Sequence, residues 1–110
     1  MKYRKLGTTD ISVSVICLGT MTWGEQNSET EAFEQMNYGF EKGINFFDTA
    51  EIYPVMPRKE TYGKTEEFIG NWLKQSRKRD KIILATKTAS KSEGLEWIRE
   101  GKDKLGFDKK

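Results

Sequence analysis

The stretch Ile44-Asn45-Phe46-Phe47-Asp48-Thr49-Ala50-Glu51-Ile52-Tyr53 is a short apolar run that breaks off at an acidic residue. Ile44, Phe46 and Phe47 are typical of a parallel strand that is covered on both faces. A carboxylate at the end of such a strand is costly to bury unless a cation pairs with it or it lies at the carboxyl rim of the sheet. We therefore expect a strand that ends in a site, with a cation beside Asp48.

A second predicted strand ends in that cation. The segment Lys81-Ile82-Ile83-Leu84-Ala85-Thr86-Lys87 is apolar in its middle and ends in a lysine. Because functional groups of parallel sheets collect at the carboxyl ends of the strands, we expect Lys87 near Asp48. Tyr53 follows Asp48 by one loop turn and can return over the same rim. The three residues form a candidate acid/base centre, although a buried salt bridge beside a structural tyrosine explains their spacing about equally well.

The first part of the chain predicts a hairpin and a loop. Lys2 to Lys5 and Ile11 to Leu18 are β-prone segments on either side of a Gly-containing turn. The second segment is expected to continue into a buried strand at Val15 to Leu18, which Gly19 ends. Residues 20–27 then form a loop on the carboxyl side of that strand.

Two amphipathic helices are predicted. Ser28 and Glu31 form a capping-box pattern that begins the first, and Gly43 suits the left-handed residue that ends it. The second spans Thr65 to Ser76, and the proline-containing segment 51–62 before it is expected to hold no regular element. The apolar stripes are Ala32, Phe33, Met36 and Phe40 in the first helix and Phe68, Ile69, Trp72 and Leu73 in the second.

The element order is therefore hairpin, strand, helix, strand, helix, strand. The right-handed crossover rule turns this order into an α/β fold, a parallel sheet with its helices outside. Three strands leave two unpaired edges, and two helices cannot cover both faces, so the fold is expected to be interrupted. Residues 88–110 suggest a surface loop with a possible helical turn over Glu93 to Glu100, and Asp108 resembles the N-cap of a further helix at the end of the sequence.

Composition excludes several function classes. Of the 110 residues, 35% are hydrophobic and 33% are charged, which is typical of a soluble globular domain. No apolar run approaches the roughly 20 residues of a membrane span, and no signal-peptide pattern follows Met1, so we expect a cytoplasmic protein without membrane contact. The net charge is +2, and Arg77-Lys78-Arg79 is better explained by a helix C-terminus than by nucleic acid. With one cysteine, Cys17, and no histidine, no metal site is expected.

Three other sequence features do not indicate a nucleotide-binding or catalytic site. Gly19 and Gly24 have Walker-loop spacing, but Glu25 stands where the lysine would be, and no G-x-G-x-x-G occurs. Cys17 lies in a predicted buried strand with no histidine to activate it, so a structural thiol is expected. The adjacent Glu66 and Glu67 are explained by the start of a helix.

Four phrases of the sequence occur in a characteristic order and spacing: Gly19-Thr20, Phe47-Asp48-Thr49-Ala50-Glu51-Ile52-Tyr53, Tyr62-Gly63-Lys64-Thr65-Glu66-Glu67-Phe68-Ile69-Gly70 and Ala85-Thr86-Lys87. Together they resemble the aldo-keto reductase superfamily, and all 110 residues fit its N-terminal third. The stretches from Gly19-Thr20-Met21-Thr22 to Glu25-Gln26-Asn27-Ser28-Glu29, and Glu51-Ile52-Tyr53-Pro54-Val55, look most like the bacterial Tas-type branch.

The resemblance implies an N-terminal hairpin and three βα-type units of an eight-stranded β/α (TIM) barrel, truncated before strand four. It also implies that NADPH delivers hydride to an aldehyde or ketone. Tyr53 would be the general acid, Lys87 would hydrogen-bond the phenol and favour its ionised form, and Asp48 would fix and neutralise Lys87. Tyr62 is the other candidate for the acid, because Tyr62-Gly63 resembles the family's usual Tyr-Gly phrase.

The resemblance also assigns cofactor contacts. Thr20, Met21 and Gln26 correspond to positions that approach the nicotinamide and ribose, and Asp48 also reaches the cofactor. The aromatic ring of Trp23 would line the substrate pocket or pack in the core, two alternatives that residue type does not separate.

Three features depart from the family. Its fourth catalytic residue is a histidine, which this chain lacks, its main pyrophosphate contacts lie on later strands, and Cys17 stands where relatives usually have glycine. The alternatives are therefore a non-catalytic regulatory barrel subunit, such as those that partner membrane channels, or an inert fragment. The isolated chain is expected to be inactive and to self-associate, because its strand edges and residues such as Phe46, Ile82 and Leu84 would be left without partners.

Overall fold

The chain begins with a β-hairpin. In the computed structural model, which describes residues 1–90 and 93–98, strand β1 (Tyr3–Lys5) pairs antiparallel with strand β2 (Ser12–Ser14). The hairpin is fastened to the rest of the fold by side chains, since the Tyr3 hydroxyl donates to the Gly43 carbonyl at 2.8 Å. The Ser14 amide donates to the Asn45 side chain at 2.7 Å. The predicted hairpin is confirmed.

Three short parallel strands follow the hairpin. Strand β3 (Leu18–Gly19) pairs with β4 (Phe46–Asp48), and β4 pairs with β5 (Ile83–Ala85), in the sheet order β3-β4-β5. The register places Asp48 opposite Gly19 on one side and Ala85 on the other. All three strands therefore end at one edge, as the crossover rule predicts.

Two helices connect the strands. Helix α1 (Glu29–Glu41) is capped by Ser28 in a capping box with Glu31, and Gly43 beyond it has φ +87°. Helix α2 (Lys64–Ser76) ends at Arg77 in the left-handed conformation, and a 3₁₀ turn (Arg79–Lys81) leads into β5. The capping box, the left-handed glycine and both helices were predicted from the sequence.

The core lies between the helices and one face of the parallel sheet. Phe47 is fully buried and its ring centroid lies 5.7 Å from that of Trp72 on α2. Burying a phenylalanine of this size stabilises the fold by about 1.5 to 3 kcal/mol. The buried members of this cluster are Trp23, Ala32, Met36, Phe47, Ile69, Trp72 and Ile82.

The predicted buried strand at Val15 to Leu18 is wrong. Val15 and Ile16 are 51% and 54% exposed, Cys17 is also exposed, and β3 consists of Leu18 and Gly19, so Gly19 belongs to the strand. A run of apolar residues is buried only where another element packs on it, and neither Val15 nor Ile16 belongs to the cluster between the helices and the sheet.

The predicted exposure of the strand β5 segment also needs correction. Ile82 is 2% exposed and Leu84 packs beside it against the helix-side cluster. Side chains alternate along a strand, so Phe46 and Ile83 point to the opposite face, where both are partly covered. Of the three residues expected on the open face, Phe46 therefore lies there, whereas Ile82 and Leu84 lie on the helix side.

Residues 93–98 form turns that pack on the loop after β4. Ile98 and Ala89 are buried together, and Ile52, Tyr62, Leu95 and Trp97 pack against them. The expected surface loop thus contains a small second cluster. The predicted helical turn to Glu100 and the N-cap at Asp108 extend to residues outside those that the structure describes. Within the described ranges, neither helix has the length and apolarity needed to cross a membrane.

Candidate active site

An ion pair lies at the carboxyl edge of the parallel sheet. The Lys87 Nζ is 2.6 Å from Asp48 Oδ1 and also donates to the Thr49 carbonyl at 2.8 Å. The side chains of Lys87 and Asp48 are 50% and 41% exposed. The salt bridge is therefore half-exposed and not buried, whereas a purely structural role stays an alternative.

Backbone pairing beyond the strands brings the two charges together. The Thr49 amide donates to the Ala85 carbonyl and the Glu51 amide donates to the Lys87 carbonyl, both at 2.9 Å. These bonds continue the β4–β5 pairing past the ends of the strands. Asp48 lies opposite Ala85, and Lys87 follows Ala85 by two residues, so the Lys87 side chain can reach the Asp48 carboxylate.

Tyr53 lies on the same side of the edge. Its ring centroid is 5.0 Å from Lys87 Nζ, within the range of a cation–π contact. Backbone hydrogen bonds hold Tyr53 on both sides, since its amide donates to the Ala50 carbonyl at 3.0 Å and its carbonyl accepts from the Gly63 amide at 3.1 Å. The structure thus places Asp48, Tyr53 and Lys87 together.

The electrostatics of this group favour a charged lysine. Partial burial lowers the pKa of Lys87, but the hydrogen bond and charge of Asp48 raise it, with smaller contributions in the same direction from Tyr53. The sum is a pKa above the ordinary value of a lysine. Lys87 is therefore a cation at neutral pH, held between a carboxylate and a phenol.

Tyr62 makes different contacts. Its hydroxyl donates to Glu51 Oε1 at 3.2 Å, and its ring stands edge-on to that of Trp97 with centroids 5.5 Å apart. Glu51 Oε2 also accepts from the Ala89 amide at 2.8 Å. These contacts join the second cluster to the loop after β4, and they give Tyr62 a packing role.

Of the residues expected to bind a cofactor, Thr20 lies at the same edge and Met21 follows it in the chain. Thr20 is buried and its hydroxyl donates to the Asp48 carbonyl at 2.9 Å, whereas Met21 and Gln26 are exposed. An exposed thioether and a half-exposed carboxylate offer an apolar surface and a hydrogen-bond acceptor.

Trp23 belongs to the core. It is 1% exposed, and its indole N–H donates to Gln35 Oε1 on α1 at 3.0 Å. Of the two alternatives that the sequence left open, core packing is therefore the observed one, and the interpretation of Trp23 as a residue lining the substrate pocket is wrong.

The position of Cys17 near Asp48 and Lys87 was not predicted from the sequence. Cys17 is an exposed residue, but its thiol is partly desolvated, which raises its pKa. The charge of Asp48 raises this pKa further, and the charge of Lys87 lowers it. Cys17 directly precedes β3, in which Gly19 pairs with Asp48. The Gly19–Asp48 register would have revealed this proximity, but register is a tertiary feature.

The comparisons with known proteins agree on one family. The Aldo/keto reductase family model matches residues 15–107. Protein tas of Escherichia coli (strain K12) is 48% identical over 92 residues, which cover 84% of this chain and 27% of that protein. The uncharacterized oxidoreductase YrpG of Bacillus subtilis (strain 168) is 44% identical over 88 residues, which cover 79% of this chain and 26% of that protein.

A solved structure has the same fold over this region. The aldo-keto reductase AKR11C1 from Bacillus halodurans, in its holo form, superposes with a TM-score of 0.67 at 41% identity and covers 84% of this chain and 28% of its own. The chain thus spans about a quarter of the length of the curated relatives it matches.

Proposed function

Because this chain belongs to the aldo/keto reductase family, we propose that the protein uses NADPH to reduce an aldehyde or ketone to an alcohol. We further propose that residues 1–110 supply the hairpin and three βα-type units of an eight-stranded β/α barrel. The observation that carries the proposal is the half-exposed Lys87 ammonium, which lies between the Asp48 carboxylate and the Tyr53 ring.

In this proposal Tyr53 is the general acid. When bound, the cofactor would supply the hydride that the carbonyl carbon receives. The Tyr53 phenol would give its proton to the carbonyl oxygen. The negative charge that remains on the phenol oxygen is stabilised by the nearby Lys87 cation. A positioned proton donor of this kind contributes about 10²- to 10⁴-fold to a rate.

Lys87 is well placed for that task. An ammonium group has three N–H donors, and two of them are used by Asp48 Oδ1 and the Thr49 carbonyl. The third can be donated to the Tyr53 oxygen, and the interaction with Tyr53 is one of the causes that raise the pKa of Lys87. Asp48 therefore orients the ammonium group and balances its charge, while Lys87 keeps one donor for the phenol.

The same edge would hold one end of the cofactor. Asp48 would accept a hydrogen bond from a ribose hydroxyl, and Met21 would supply an apolar surface for the nicotinamide ring. Gln26 would contact the nucleotide from the neighbouring loop. Thr20 would act indirectly, because its hydroxyl donates a hydrogen bond to the Asp48 carbonyl and so holds the backbone of Asp48 in place.

A substitution at Lys87 tests this function. The full-length protein is incubated with NADPH and a panel of aldehydes and ketones, and the absorbance of the reduced cofactor is followed. We expect turnover, and we expect Lys87→Met to lower kcat by about 10²-fold or more, because the phenolate loses its stabilising charge. The matched control is Lys74→Met, which removes an exposed lysine from α2 and should leave kcat unchanged.

Two results would contradict the proposal. If no carbonyl compound accelerates NADPH oxidation above background, the protein is not a reductase of this class, and NADPH binding without turnover would favour a regulatory barrel subunit. If the protein turns over but Lys87→Met behaves like Lys74→Met, the site described above is not the catalytic one.

A further inference from the structure

Two loops at the carboxyl edge are joined by an ion pair that the proposed mechanism does not use. We call residues 20–27 the first rim loop and residues 54–61 the second rim loop. Arg58 Nη2 donates to both carboxylate oxygens of Glu25 at 2.8 Å, and Arg58 Nε donates to Oε2 at 3.2 Å. A fork-shaped contact of this kind fixes orientation as well as distance. We refer to the Glu25–Arg58 pair as the rim clasp.

The two loops also touch along their length. The Val55 amide donates to the Met21 carbonyl at 2.9 Å. Gly24 has φ +103°, and a Cβ at this position would lie 2.8 Å from Lys64 Cβ and 3.6 Å from Pro54 Cγ. The backbone of the first rim loop thus packs directly against Pro54 at the start of the second rim loop and against Lys64 just beyond its end.

This contact region extends from the rim clasp to the candidate active site. At its inner end, Thr20 donates to the Asp48 carbonyl, and Met21 follows Thr20 in the chain. Tyr53 immediately precedes the second rim loop and is held by its own backbone bonds to Ala50 and Gly63. Arg58 also organises the far side of its loop, because its carbonyl accepts from the amides of Thr61 and Tyr62 at 3.2 and 2.8 Å.

We propose that Glu25 and Arg58 are positioning residues that hold the second rim loop against the first and so shape the wall of the carbonyl-substrate site next to Asp48. This inference rests on the proposed function. Tyr53 has its own backbone anchors, so opening the clasp should leave the proton donor in place. Met21 and Val55 lie between the clasp and the active site, so the substrate-binding wall should loosen. The clasp therefore acts on substrate binding more than on the chemical step.

The test compares charge removal with charge exchange in the full-length protein. Glu25→Gln and Arg58→Gln should each raise KM for an aldehyde by about three- to fivefold with kcat within about twofold, the scale of an exposed ion pair. The double variant Glu25→Arg/Arg58→Glu should restore KM, since the pair is rebuilt with its charges reversed. Raising the salt concentration should increase KM of the unsubstituted protein and leave that of Arg58→Gln unchanged, because salt screens only an existing pair.

Amide hydrogen exchange provides a readout that needs no turnover. Exchange over residues 54–61, and at the Val55 amide in particular, should be faster in the single variants and return to its original rate in the double variant. The matched control is Asp10→Asn, which removes the exposed hairpin ion pair between Lys5 and Asp10. It should change neither KM nor exchange in the second rim loop.

The outcomes separate the two proposals. Unchanged KM and unchanged exchange in both single variants would overturn the positioning role, and so would faster exchange with unchanged KM, since the pair would then be purely structural. Absence of turnover in the unsubstituted protein would instead refute the proposed function. In that case the exchange comparison would still decide whether the rim clasp holds the loop.

Discussion

The choice between Tyr53 and Tyr62 as proton donor can be decided by removing one hydroxyl at a time. In Tyr53→Phe the ring remains, so its contact with Lys87 at 5.0 Å and the backbone bonds of residue 53 should be preserved. The only group lost is the proposed acid. The variant should therefore bind substrate normally and fail at the chemical step.

The size of the defect follows from the exposure of the site. General acids contribute about 10²- to 10⁴-fold, equivalent to about 2.7 to 5.4 kcal/mol of transition-state free energy. The Asp48 and Lys87 side chains are 41% and 50% exposed, so water can enter the space left by the Tyr53 hydroxyl and act as a weaker donor. We therefore expect the lower part of that range, a loss of about 10²- to 10³-fold in kcat.

Tyr62→Phe is the matched control because it also removes one phenolic hydroxyl. Its hydrogen bond to Glu51 is lost, which should lower the free energy of unfolding by about 0.5 to 1.5 kcal/mol. The edge-on contact with Trp97 remains, so the loop should keep its position. We expect a lower Tm with kcat nearly unchanged.

The assay is single-turnover oxidation of NADPH with saturating aldehyde, combined with thermal unfolding of each variant. A large loss of kcat in Tyr62→Phe with an active Tyr53→Phe would refute the assignment of Tyr53. Equal and small effects of both substitutions would show that neither phenol donates the proton, and the mechanism proposed for the Asp48–Tyr53–Lys87 group would have to be abandoned.

Three further predictions concern stability, charge and association. Ser28→Ala removes the capping box of α1 and should lower the free energy of unfolding by about 1 kcal/mol in urea denaturation, and no change would contradict the assigned cap. The hydrogen bond from Arg58, aided by the charges of Arg58 and Lys64, holds the pKa of Glu25 below its ordinary value of 4.5. The stability that the rim clasp contributes is therefore present above pH 4.5 and is lost as the pH falls through the lowered pKa. Titration of this carboxyl by NMR should therefore give a lower pKa than in Arg58→Gln, and equal values would disprove the pairing in solution. The isolated 110-residue chain should self-associate in sedimentation, because within the described residues β3 and β5 each pair on one side only and Phe46 and Ile83 face away from both helices; a monomer that unfolds cooperatively would refute this.

The order and type of the elements could be predicted from the sequence because they depend on local chemistry. The capping residues Ser28 and Glu31 and the left-handed Gly43 set the boundaries of α1 through interactions within a few residues. Apolar periodicity predicted which side of each helix is buried. The expectation that Asp48 and Lys87 meet used only one nonlocal rule, that parallel strands end at the same edge of a sheet.

Burial and long-range partners were decided by tertiary structure alone. Val15 and Cys17 have the composition of a buried strand, yet both are exposed because no helix covers them, whereas Trp23 lies in the core because α1 and α2 do. The rim clasp joins residues 33 positions apart on two loops that have no periodic pattern. Sequence patterns record the preferences of neighbouring residues. The packing of the elements in three dimensions decides which face is covered by another element. It also decides which distant charged groups lie within 3 Å of each other.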